Sequence, residues 1–253
     1  MKTITIINQK GGVGKSTTAH AIGAGLSIKG YKVLFIDLDA QGNLSYTLNA
    51  DTRGYNSLGV LERPQTIKEE IQQIGNIDIL ASSPNLAGAD NIINQTGKEY
   101  RLKEALDLVK DIYDYCVIDT PPALGIVTIN ALTASTGAII PAQADIYSLQ
   151  GISQLNQTIE AVKKYCNPSL YIMGIVLTRY SKRIIIRREV AEMLEETAKN
   201  LNTKLYNTKI RESIALVEAQ AMKEDIYTYA PKSNATEDYM ALTEEIIKGV
   251  NNE

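Results

Sequence analysis

The stretch Asn8-Gln9-Lys10-Gly11-Gly12-Val13-Gly14-Lys15-Ser16-Thr17 limits what this chain can fold into more than any other. It follows a short apolar run, Ile4–Ile7, and opens a helical pattern over Ser16–Lys29. Strand, glycine-rich turn and helix form the context in which a backbone wraps an anion. Glycines let the chain curl until several N–H groups converge, and the helix that follows brings its positive dipole end to the same place. In such a loop Lys15 supplies a cation for the β- and γ-phosphates of a nucleotide, and Ser16 a hydroxyl for Mg²⁺. Gly11, Gly12, Val13, Gly14 and Thr17 complete the cradle. The common pattern G-x-x-x-x-G-K-[ST] asks for glycine at position 9, where this chain has Gln. A second lysine, Lys10, stands inside the loop instead, and the residues alone leave open whether it binds phosphate or is solvated.

Apolar runs and helical periodicity alternate along the rest of the chain. Strands are predicted at Thr3–Asn8, Lys32–Asp37, Ile77–Ala81, Tyr115–Asp119, Ala138–Pro141, Tyr171–Leu177 and, weakly, Lys204–Tyr206. Helices are predicted at Ser16–Lys29, Lys98–Ile112, Ile126–Ala134, Leu149–Lys164, Arg187–Asn200 and Asn234–Val250. Runs such as Val33-Leu34-Phe35-Ile36 read as strands buried on both faces. The expectation is an α/β fold: one doubly wound domain over residues 1–253, with a mainly parallel sheet and helices on both faces. Ligands of such sheets lie at the C-terminal strand ends.

Carboxylates fall at those ends. Asp37 closes one predicted strand and Asp39 lies in the turn beyond it; Asp119 closes another, before Thr120-Pro121-Pro122. An apolar strand ending in Asp is the usual partner of a phosphate loop, holding water ligands of Mg²⁺. Asp37 and Asp39 suit the same chemistry or plain turn formation.

Composition excludes several classes. Net charge is −3, which rules out a uniformly basic nucleic-acid binder while leaving room for a local basic patch. Cys116 and Cys166 are far apart and form no CxxC pair, so neither a disulfide framework nor a paired-cysteine cluster is expected. His20 has no second histidine to share a metal with. No run approaches the roughly eighteen apolar residues of a membrane span, and the N-terminus enters a strand without a signal-peptide pattern.

Taken together, Lys10–Thr17, Asp37–Asn43 and Ile118–Pro122 resemble the deviant Walker A, A′ and B elements of the ParA/Soj family of bacterial DNA-partition ATPases. Thr128–Ser135 and Ser148–Gly151 resemble it as well, and the similarity runs from Thr3 to about Ile247. The resemblance implies a Mg²⁺-dependent ATPase with slow, partner-stimulated turnover. ATP would join two copies into a sandwich homodimer, Lys10 reaching the partner's phosphates. Lys10, Lys15 and Asp39 would be the catalytic residues, Asp39 positioning the attacking water. Ser16, Asp39 and Asp119 would serve the metal, the two aspartates through water. The implied partners are non-specific DNA and a ParB-like centromere-binding adaptor that resets the dimer by stimulating hydrolysis. The implied location is cytoplasmic and nucleoid-associated, in the short form of the family that has no N-terminal DNA-binding extension.

The segment Arg179–Arg188 carries five cations in ten residues and no acid. One-signed and doubled in a dimer, it suits a DNA backbone. Arg179, Lys182, Arg183, Arg187 and Arg188 are the candidate contacts, and Arg183 best matches the family's arginine. A later DNA-contacting arginine of the family falls on Ala215 here, so the resemblance leaves open whether Arg211 or Lys209 substitutes for it or DNA is gripped differently; Arg211 is the candidate contact. The C-terminal pattern is acidic and lacks the basic amphipathic character of a membrane-surface helix. Two alternatives share the loop: a positioning ATPase for a protein cargo, and a regulatory ATP switch acting on a protein partner. Asp39, a residue for hydrolysis, argues against the second.

Overall fold

In the computed structural model the chain is described over residues 1–181 and 185–251, the side chains of residues 185–188 and 251 excepted. Seven strands form one sheet: β1 Lys2–Ile6, β2 Val33–Asp37, β3 Gln72–Ile74, β4 Ile77–Leu80, β5 Tyr115–Asp119, β6 Gly137–Gln143 and β7 Tyr171–Thr178. Their order is β3-β4-β2-β5-β1-β6-β7. Every pairing is parallel except β3 with β4. The mainly parallel α/β sheet expected from the alternation is thus present. The antiparallel edge strand β3 is additional; three residues are too short a run for periodicity to reveal.

The apolar strand runs are explained by two-sided burial. Successive side chains of a strand point to opposite faces. On β2, Val33 and Phe35 join one core with Ile4, Ile6, Tyr115 and Val117, while Leu34 and Ile36 join a second with Cys116 and Ile118. A third core lies under β6 and β7, where Ala138, Ile140, Ile175 and Leu177 meet later helices.

The helices that matter for the site are α1 Lys15–Ile28, α2 Asn43–Thr47, α3 Arg101–Asp107, α4 Ile126–Ala134, α5 Ile146–Tyr165, α6 Ile185–Asn200, α7 Ile214–Met222 and α8 Asn234–Asn251. Two glycines let α1 pack closely, Gly23 against the sheet and Gly25 against α8 and Tyr227. A Cβ at Gly23 would come within 2.1 Å of the Phe35 ring, and one at Gly25 within 2.7 Å of the Thr243 and Tyr227 oxygens. The near contact buries Phe35 completely, worth about 1.5–3 kcal/mol.

Three of the predicted elements differ from the sequence reading by more than two residues or in kind. The helix expected over 98–112 is a 3₁₀ turn at Lys98–Tyr100, then α3, then turns to residue 112. There the N–H of Leu108, Val109 and Ile112 each bond three residues back, a tightening that carries Val109 into the core. α5 begins at Ile146 because Asp145 caps it, its carboxylate accepting from Ser148 N at 3.1 Å. The weak strand at 204–206 is a single bridge, Leu205 to Ile175, covering the outer edge of β7.

Candidate nucleotide site

The site is assembled where β1, β2 and β5 end side by side. In register, Asp119 pairs with Ile6 on one flank and with Asp37 on the other. The glycine-rich loop leaves β1 and turns through two positive φ angles, +74° at Gly12 and +88° at Gly14, which glycine adopts at no steric cost. A Cβ at Gly11, Gly12 or Gly14 would meet no protein atom within 4 Å, and all three line a cavity of about 740 Å³. Gly14 is the N-cap of α1 and offers no side chain to its first turn. The free N–H groups of that turn therefore point to the cavity with the helix dipole behind them.

Lys15, Ser16, Thr17, Asp39, Gln41, Asn43, Tyr46 and Pro122 also line this cavity. The three sequence stretches that carried the resemblance therefore meet in one place. Lys15 is buried, and its Nζ lies 3.4 Å from the Lys10 carbonyl. Burial lowers its pKa, while the charges of Asp119 and Asp39 hold it up. Asp119 is fully buried, and neither carboxylate oxygen has a hydrogen-bond partner among the described residues. Its pKa is pushed well above the carboxylate range by burial and by Asp37; Ser16 and Lys15 pull it back. A buried, unpartnered carboxylate beside a serine hydroxyl is a hard oxygen set that suits Mg²⁺. Among the described residues no cluster of three His, Cys, Asp or Glu side chains is placed to cage a metal. Mg²⁺ needs no such cage, since it keeps waters and takes phosphate oxygens.

Asp37 and Asp39 separate in role. Asp37 is fully buried and turned inward, accepting from Ser45 N and Ser45 Oγ at 2.7 Å each and from Asp39 N at 3.1 Å. Burial lifts its pKa to about 6 against those hydrogen bonds. Asp39 reaches the cavity, one oxygen accepting from Gln41 N at 3.0 Å.

Lys10 does not line the cavity. Its ammonium is paired with Asp145 at 2.5 Å. Of the basic segment, Arg179 lines the cavity and has φ +48°. Lys182 and Arg183 lie outside the described residues. Arg187 and Arg188 belong to α6 by their backbone. Arg211 is gripped by Asp238, which accepts from Nε and Nη2 at 2.9 and 2.7 Å, and by Glu237 at 3.3 Å. A DNA phosphate would compete with both carboxylates for it.

Two residues had no sequence signal. Gln220, on α7, donates its amide to Thr17 Oγ1 at 2.7 Å. It sits on the wall between the main cavity and a neighbouring one of about 270 Å³, which Val13, Thr178 and Ile210 also line. Tyr46, on α2, also lines the main cavity, with Lys223 Nζ 4.6 Å from its ring centre. Neither belongs to a spaced motif, so only the folded chain brings them in.

A mainly parallel α/β sheet with this loop on its first strand and acidic ends on β5 beside it and β2 beyond defines a P-loop NTPase fold. Comparison with known proteins agrees. The AAA domain family model matches residues 1–172. The sporulation initiation inhibitor protein Soj of Bacillus subtilis is 38% identical over 97% of this chain and 98% of its own length. The chromosome partitioning protein ParA of Myxococcus xanthus is 35% identical, over 98% and 88% respectively. Among solved structures, cobyrinic acid a,c-diamide synthase from Mycobacterium smegmatis with bound ADP and magnesium superposes with a TM-score of 0.85. It is 29% identical and covers 99% of this chain and 96% of its own. The chain belongs to the ParA/Soj family of partition ATPases and is a ParA-like positioning ATPase.

Proposed function

We propose that this protein is a DNA-partition ATPase, cytoplasmic and nucleoid-associated, that alternates between an ATP-bound homodimer on non-specific DNA and a released ADP form. One observation carries the reading: the glycine loop and Asp39 line one cavity, and Asp119, at the end of β5 between β1 and β2, is buried behind it beside Ser16 and Lys15. Phosphoryl transfer to water asks for positioning and charge neutralisation more than for covalent chemistry. The loop N–H groups from Gly11 to Thr17 and the Lys15 ammonium neutralise the β- and γ-phosphates. Ser16 would hold Mg²⁺ through its hydroxyl, and Asp119 and Asp39 would hold it through water. The chemistry such an ion would supply is neutralisation of the phosphate charge. Asp39 orients the attacking water and accepts hydrogen bonds from it. Lys10 completes the site of a second copy, so that hydrolysis loosens the dimer and acts as a timer.

The dimer doubles the cations of Arg179, Lys182, Arg183, Arg187 and Arg188 into a stripe for the DNA backbone; Arg211 adds to it only by leaving Asp238. A ParB-like adaptor stimulates the slow intrinsic turnover. The test is Asp39→Ala. Magnesium-dependent ATP binding stays within threefold of wild type, while turnover with DNA and adaptor falls roughly a hundredfold or more, the scale of a lost positioning group. Unchanged turnover would remove Asp39 from the mechanism and, with it, this reading of the cavity.

A further inference from the structure

Lys10 is held by its own subunit. Its ammonium pairs with the Asp145 carboxylate, and both side chains are about one-third exposed, 34% and 32%. The loop that carries it is tied to the same region by further contacts. The Lys10 N–H donates to Asn8 Oδ1 at 2.9 Å, Asn8 Nδ2 donates to Pro141 O at 2.7 Å, and Gln143 Nε2 donates to Gly12 O at 3.1 Å. Asp145 is itself fixed, because its other oxygen caps α5 through Ser148 N and Ser148 Oγ at 3.1 and 3.3 Å. A rigid acceptor thus holds the loop lysine away from the phosphate cavity that Lys15 serves.

We infer that Asp145 is a positioning residue for Lys10: it holds the lysine on its own subunit and competes with the phosphate of a partner copy for the same ammonium. The inference rests on the dimer proposed above and adds to it a residue that sets how readily the dimer forms. Each dimer formed breaks two such pairs. An ion pair one-third exposed on both sides is weak and salt-screened, so Asp145 opposes dimerisation without preventing it. Removal of the carboxylate charge frees Lys10 in both copies.

The experiment is sedimentation equilibrium of the full chain with magnesium and a non-hydrolysable ATP analogue, for wild type, Asp145→Asn and Asp145→Glu, at low and high salt. Asparagine caps a helix as well as aspartate does, so the variant removes charge and keeps α5. The expected dimer Kd of Asp145→Asn is lower than wild type by roughly two- to thirtyfold, the range set by losing two exposed ion pairs. That gap narrows at high salt, and Asp145→Glu restores the wild-type value. An Asp145→Asn dimer equal to or weaker than wild type overturns the role given to Asp145 while leaving the dimer intact. Absence of any wild-type dimer with the analogue overturns the dimer itself, and is read without the variants.

Discussion

Asp37 and Asp39 stand two positions apart in one motif and do different work. Asp37 is turned away from the cavity and holds the start of α2 through Ser45. Asp37→Ala strands a buried N–H and hydroxyl, and is expected to lower the unfolding free energy by roughly 1–3 kcal/mol, measured by urea titration. Asp39→Ala, by contrast, removes a single accepted hydrogen bond, from Gln41 N, and is expected to act chiefly on turnover. Lys15→Ala removes the cation of the cradle. ATP affinity is then expected to fall on the order of a hundredfold, the scale of a lost charge-assisted contact of about 2–3 kcal/mol, read by equilibrium titration with a fluorescent analogue. Sequence order suggested that Asp37, Asp39 and Asp119 could all face a metal. What it could not give is side-chain direction: Ser45, eight residues on, is what takes Asp37 out of the set.

At the scale of elements, α1 couples the cradle to the sheet. Gly23→Ala adds a methyl where only 2.1 Å separates it from Phe35. The helical preference for alanine of about 1 kcal/mol is outweighed, and a net loss of roughly 1–3 kcal/mol is expected, read as a lower urea midpoint. His20, one turn earlier, is buried with its ring edge-on to Phe35. Burial pushes its pKa down to about 4, while the charge of Asp225 pulls it back up. Below the ordinary value of about 6.5 the unfolded chain takes the proton first. Stability from this residue is therefore complete above pH 6.5 and is lost as pH falls towards 4, a loss of about 3 kcal/mol. The stability gap between wild type and His20→Leu should shrink over that window, as followed by urea unfolding at pH 7.5 and pH 4.5. The long strands and helices were legible because two-sided burial makes continuous apolar runs and α1 follows a glycine loop. β3, with three residues, and α7, with its mixed face, leave no periodic trace. Gln220 and Asp145 are accordingly known as site neighbours only from the fold.

For the whole molecule, the balance is acidic, with a net charge of −3. Any grip on DNA therefore comes from a local patch and is sensitive to salt. Arg179, where the basic segment begins, lines the candidate nucleotide cavity. Among the described residues no helix is long and apolar enough to cross a membrane. The most direct test of the account is binding of the full chain to random-sequence duplex DNA with ATP, with ADP and without nucleotide, at two salt concentrations, for wild type and Arg183→Ala. The account predicts tight, salt-sensitive binding with ATP alone, weakened in the variant. DNA binding in no nucleotide state would contradict it and leave an ATPase that acts on a protein partner, and equal binding in all three would contradict the ATP gate.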